Sequence, residues 1–132
     1  MKNCIIYSLL LLFSVLLFSC GDDDEPELPT CAQENYIGTW VGPENCTIGS
    51  GNSSLTVTIV AKGADIELDG GSFDTDIVSI DEENCSVSGS NSSLGQSFEY
   101  SGSINGDDLF LTHKRMLAGQ TVNTCTYTLV RQ

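Results

Sequence analysis

Positive charge is what this chain has least of. Five Lys and Arg stand against 18 Asp and Glu, for a formal net charge of −13. A field of that sign favours solubility and repels both nucleic acid and anionic lipid heads, so nucleic acid is not an expected partner. Histidine is limited to His113, and G-x-S-x-G, H-E-x-x-H and C-x-x-C are all missing. These absences remove the usual nucleophile, metal-hydrolase and dithiol constellations; no catalytic residue, cofactor or enzyme activity is expected. Past residue 20, no segment keeps a helical period over three turns. The one long apolar run, Cys4 to Phe18, is about 15 residues, short of the roughly 20 that span a bilayer as a helix.

That run instead follows a charged start, Met1-Lys2-Asn3, in the arrangement of a secretory signal. It ends at Leu17-Phe18-Ser19-Cys20, which resembles a bacterial lipobox, with a small residue before the cysteine and a middle residue, Phe18, bulkier than usual. The resemblance implies that residues 1–19 are removed as a signal peptide. Cys20 then becomes the N-terminus and carries a diacylglyceryl thioether and an amide-linked acyl chain. Several chains at ~0.8 kcal/mol per buried methylene make a stable membrane anchor, where one alone is marginal.

Residues 20–30 form the expected tether. Asp22, Asp23, Asp24, Glu25 and Glu27 repel one another, and Pro26 and Pro29 exclude a regular helix, so the segment is predicted to be extended and solvated. Acids this close behind a lipidated cysteine resemble the surface-export signal of Bacteroidota lipoproteins. That resemblance implies an outer-membrane protein facing outward.

With Cys4 in the signal and Cys20 lipidated, Cys31, Cys46, Cys85 and Cys125 remain. An even number in a small exported domain points to two disulfides, with three connectivities open. Their wide spacing and the lack of a nearby histidine argue against a zinc site.

The remaining residues, 31–132, are predicted to be one all-β domain. Apolar and polar residues alternate in Leu55–Val60, Asp76–Ile80, Ser97–Tyr100, Leu109–His113 and Thr124–Val130, the period of half-buried strands. Between them lie breaks at Gly49-Ser50-Gly51-Asn52, Asp69-Gly70-Gly71, Asn84, Gly89-Ser90-Asn91 and Asn105-Gly106-Asp107. Asn105-Gly106 fits a type I′ hairpin turn, because both residues tolerate positive φ. About eight short strands predict a small antiparallel up-and-down barrel or a β-sandwich.

Gly38-Thr39-Trp40 resembles the G-x-W that opens the barrel in lipocalins, avidins and related calycins. In that superfamily the tryptophan plugs one barrel end and a basic residue near the last strand packs over it. Arg131, after Leu129-Val130, occupies that place, and the implied cation-π contact is worth ~1 kcal/mol. More of the chain, from GTW to CTYTLV, is similar to lipocalin-like domains of Bacteroidota lipoproteins. The barrel so implied brings the end of the first strand beside the start of the last, so Cys46 is expected to bridge Cys125, leaving Cys31 for Cys85.

The same resemblance implies a binding protein whose interior takes a small apolar ligand. Leu55, Val57, Ile59, Tyr100, Leu109, Leu111, Tyr127 and Leu129 would line it, although an eight-stranded barrel can be filled by its own side chains. The alternative is a disulfide-stapled β-domain that binds a protein or glycan partner through its loops. His113-Lys114-Arg115 is the one basic cluster; it is expected at a solvated strand end and could otherwise receive a carboxylate or phosphate. Asp69, Asp74 and Asp76 around the Gly-Gly turn offer hard oxygen ligands suited to calcium, without EF-hand spacing, so they are weak metal candidates.

Lipid attachment at Cys20 has a direct test. Cells fed labelled palmitate should label the wild-type chain and leave the Cys20→Ser chain dark; equal label in both would overturn the lipobox.

Overall fold

The computed structural model describes residues 31–132. The expected signal, the lipidated Cys20 and the acidic tether lie outside the described residues. After a single 3-10 turn at Gln33–Asn35 come nine strands: β1 (Gly38–Gly42), β2 (Glu44–Cys46), β3 (Leu55–Lys62), β4 (Asp65–Gly70), β5 (Phe73–Asp81), β6 (Ser86–Ser93), β7 (Gln96–Asn105), β8 (Asp108–Leu117) and β9 (Gln120–Arg131). From β3 to β9 each pairs antiparallel with the next, and β1 pairs with both β3 and β9, so the ladder closes.

Closure depends on β1 and β2 serving as one strand. Pro43 separates them because it has no N–H to give. The pairing with β9 nonetheless keeps a single register, from Trp40 opposite Arg131, through Val41 opposite Val130, to Cys46 opposite Cys125. Gly42 sits in this seam, where a Cβ would collide with the Thr128 carbonyl oxygen. The result is a closed, eight-stranded antiparallel barrel, the first of the two architectures expected.

Both disulfides are the expected ones. Cys46–Cys125 joins directly opposed residues across the closing seam. Cys31–Cys85 ties the segment before β1 to the β5–β6 turn. In an up-and-down barrel these connections sort into two ends. The β5–β6 turn, the β3–β4 and β7–β8 turns and the incoming segment share one end; the 47–54 loop and the β4–β5, β6–β7 and β8–β9 turns share the other.

The first end is plugged. Trp40 is fully buried and its Nε1 donates to the Tyr36 carbonyl at 2.8 Å. The Arg131 guanidinium carbon lies 4.5 Å from the Trp40 ring centroid, while Nη1 donates to the Ile37 carbonyl at 2.8 Å and Nη2 to that of Asn35. One arginine thus stacks on the plug and fastens the chain leading into β1. Beside it the buried Tyr36 hydroxyl has no hydrogen-bond partner among the described residues, and burial, helped by the charges of Asp81 and Glu82, pushes its pKa up to about 12.

Two expected breaks differ in the structure. Gly89-Ser90-Asn91 is not a loop but the middle of β6, fully paired to β7 from Ser86 opposite Ser103 to Ser93 opposite Gln96. Backbone pairing holds a strand in which only Val87 is a buried apolar residue. The hairpin near Asn105 turns one residue later, through Gly106-Asp107, with Asn105 paired to Asp108. Only Gly106 has positive φ there, as a type II′ turn requires.

Arg131→Gln should remove the stack on Trp40 and loosen the bonds to both carbonyls. We expect a loss of about 1–3 kcal/mol in urea unfolding; an unchanged midpoint would remove Arg131 from the plug.

Candidate functional site at the barrel mouth

The interior of β7, β8 and β9 is built in rows, because directly paired residues share a face and faces alternate along each strand. Ile104, Leu109 and Leu129 form the deepest row, above which Gly102, Leu111, Tyr127 and Glu44 lie side by side. The third row is Tyr100, His113, Cys125 and Cys46, and the rim row is Phe98, Arg115 and Asn123. Chemistry changes along that climb from aliphatic to aromatic and polar.

All eight residues expected to line a ligand cavity point inward and are buried. They pack into one core cluster with Trp40, Ile66, Leu68, Phe73, Val78 and Val87. None of the eight borders the open space at the mouth. That space is a cleft of about 240 Å³ lined by Ser72, Phe98, His113, Arg115, Asn123 and Cys125. Beneath the cleft the eight belong to the packed core cluster rather than to its lining.

His113 departs furthest from expectation. It is not at a solvated strand end: four residues from the end of β8, it is only 8% exposed. The period that buries Leu109 and Leu111 carries His113 inward as well. Its ring stacks on Tyr100 at 5.1 Å and 13°, with Phe73 and Phe98 at 5.8 and 5.5 Å. Nε2 is buried without a hydrogen-bond partner among the described residues. Burial holds the imidazole below its ordinary value, Arg115 adds to that effect, and the charges of Asp76 and Glu44 oppose it.

Two bulges shape the surroundings. On β5, Thr75 at φ 54° breaks the register with β4, so that Phe73 and Asp76, three apart, both turn inward. On β9, Val122 is the extra residue between Asn123, opposite Arg115, and Thr121, opposite Met116. Neither bulge follows from the alternation pattern.

The acids at the mouth are already supplied with donors. Asp76 accepts from the Asp74 N–H at 3.1 Å and from Asn91 Nδ2 at 3.3 Å. Glu44 Oε1 accepts from the Tyr127 hydroxyl at 2.8 Å and from Ser72 Oγ at 2.7 Å. Chiefly through burial, and further through these carboxylates, both phenols are raised well above their ordinary range.

The structure does not gather the calcium candidates into a site. Asp76 faces the interior, while Asp69 and Asp74 are exposed. Among the described residues, the one group of three close enough to hold a metal is Glu44, Cys46 and Cys125, whose cysteines are joined in a disulfide.

The basic cluster divides in the same way. Lys114 faces outward, whereas Arg115 shares the face of His113 and lines the cleft without an ion pair among the described residues. Asn123 Oδ1 accepts from the Thr47 hydroxyl and the Ile48 N–H, and among the described residues its Nδ2 meets only Cys125 Sγ at 3.7 Å. Comparison with protein families, curated proteins and solved structures returned no match to this chain. The mouth's chemistry consequently has to be read from its own atoms: an aromatic wall, an unpartnered imidazole nitrogen, a guanidinium and an amide.

The depressed His113 value has a pH consequence. The unfolded chain binds a proton below about pH 6.5 that the fold resists, so stability falls as pH drops through that value toward the lower folded one. His113→Phe should flatten this part of the stability profile and cost little at pH 8, because an unpartnered polar atom is removed. Parallel profiles for the two chains would show that His113 carries none of the slope.

Proposed function

We propose that this chain is a lipocalin-like, non-enzymatic binding protein, anchored to the outer membrane by lipid on Cys20 and holding a small, largely apolar ligand at the mouth of its barrel. The observation that carries the reading is the cleft over His113. A buried side chain with an unpartnered Nε2 costs stability, and that cost is offset when a ligand or an ordered water completes the bond. Aromatic faces around a few convergent polar groups are the usual lining of a small-molecule site, and 240 Å³ is below the usual range of about 300–1,000 Å³ for such sites.

The two ends of the barrel support the same arrangement. Cys31, eleven residues after Cys20, is fixed by its disulfide at the plugged end. A tether of that length reaches at most about 40 Å when extended. A lipid at Cys20 would therefore hold the plugged end toward the membrane and turn the open mouth away from it, toward the medium if the chain is exported to the cell surface.

A second reading, a protein or glycan partner bound by the loops, is favoured by Leu94. It is 98% exposed at the tip of the β6–β7 hairpin and has φ 51°, a conformation that Asn or Gly adopts more readily. Nothing in the fold requires a leucine there.

A neutral solvatochromic naphthalene dye separates the two. Titrated against the chain starting at Gly21, it should blue-shift saturably, and His113→Phe or Asn123→Leu should change its affinity at least threefold. No saturable shift would overturn the mouth as a binding site; Leu94→Asn should leave the titration unchanged.

A further inference from the structure

Resting on the proposed binding at the mouth, we infer that the ligand is a small aromatic carboxylate, its ring against Phe98 above His113 and its acid group on Arg115.

The sign of the ligand follows from which polar groups lack partners. Asp76 and Glu44 Oε1 already accept from amide, backbone and hydroxyl donors, and neither residue is among those that line the cleft. The donors it presents are the exposed Arg115 guanidinium, without an ion pair among the described residues, and the half-buried Asn123 Nδ2, which among the described residues meets a sulfur at 3.7 Å. Both are donors, and they are directly opposed across the β8–β9 ladder. A planar guanidinium matches a carboxylate through two parallel bonds, which a point charge cannot do. His113, one row deeper on the same strand as Arg115, lines the same cleft beneath it.

The shape follows from what lies beneath. Phe98 is paired directly with Arg115 on the other side, so one aromatic face and one cation share the rim row. Under them the rings of Tyr100 and His113 are stacked, and under those Leu111 and Tyr127 are closed into the core. A flat ring can lie in the space of two rows. A long acyl chain would have to displace the Leu111–Tyr127 row, where a Cβ added to Gly102 already comes within 2.6 Å of Leu111 Cδ2.

The full chain in lipid nanodiscs, with empty nanodiscs as the blank, can be titrated calorimetrically with naphthalene-2-carboxylate, its neutral amide and octanoate. We expect the carboxylate to bind at least tenfold more tightly than the amide and at least tenfold more tightly than octanoate. Arg115→Gln should erase the preference for carboxylate over amide while the amide still binds, and Arg115→Lys should retain part of it. Equal affinity for carboxylate and amide would overturn the acid group's role and leave the site itself standing. Octanoate binding as tightly as the naphthoate would overturn the aromatic part. Heat from none of the three would overturn the assignment entirely, and the neutral-dye titration would then decide separately whether the mouth binds anything.

Discussion

The pairing of β1 and β2 with β9 is the constraint on which the rest of this molecule depends. Without it the sheet would be an open ribbon with two exposed edges, and the inward faces of its strands would have nothing to enclose. Three dissimilar devices hold that seam: the Trp40–Arg131 stack at the plugged end, Gly42 where a Cβ would collide with the Thr128 carbonyl, and the Cys46–Cys125 bridge near the mouth. Each lies at a different height on a single register. A one-residue slip there would turn every inward side chain of β9 outward, so the seam fixes the rows of the interior as well as the closure.

Those rows explain why a small barrel can have an apolar core and a polar mouth in one continuous stack. With about 100 residues to bury, the domain gives its lower rows mainly to apolar packing, Glu44 excepted. Only the upper two rows, backed by the disulfide and by stacked rings, depart from that pattern. The buried Asp76 and, one row below His113, the half-buried Glu44 are held by short networks, Asp76 with Asn91 and the Asp74 N–H, Glu44 with Tyr127 and Ser72. Each such network satisfies its carboxylate locally and rigidifies the wall, which leaves the unmet hydrogen-bonding capacity at His113, Arg115 and Asn123.

Much of this was legible in the sequence where the signal was local or terminal. The alternation in Leu55–Val60 and Leu109–His113 identified strands, and Trp40 and Arg131, near the two ends of the domain, marked its closure. The cysteine pairing followed once a barrel was assumed. His113 was legible too, since it has the parity of Leu109 and Leu111, but Lys114 and Arg115 beside it argued for solvent. In a strand, neighbours in sequence face opposite ways, so their charges say little about the environment of His113. The bulges at Thr75 and Val122 left no mark in composition, and β6 is held by backbone bonds that a serine-rich stretch does not advertise. How far the core fills the barrel was not legible at all, because filling depends on side chains from opposite walls.

Stability and binding pull in opposite directions at the mouth. An apolar residue at position 113 would complete the apolar core upward by one row and leave no polar atom stranded, so packing alone does not account for a histidine there. Arg115, two residues on and on the same face, is exposed at the rim with no acid paired to it among the described residues. A buried imidazole and an exposed guanidinium adjacent on one face of one strand fit together as parts of one site. A ligand that satisfied the guanidinium and the imidazole together would bind the folded chain alone, so it would add stability in proportion to its occupancy.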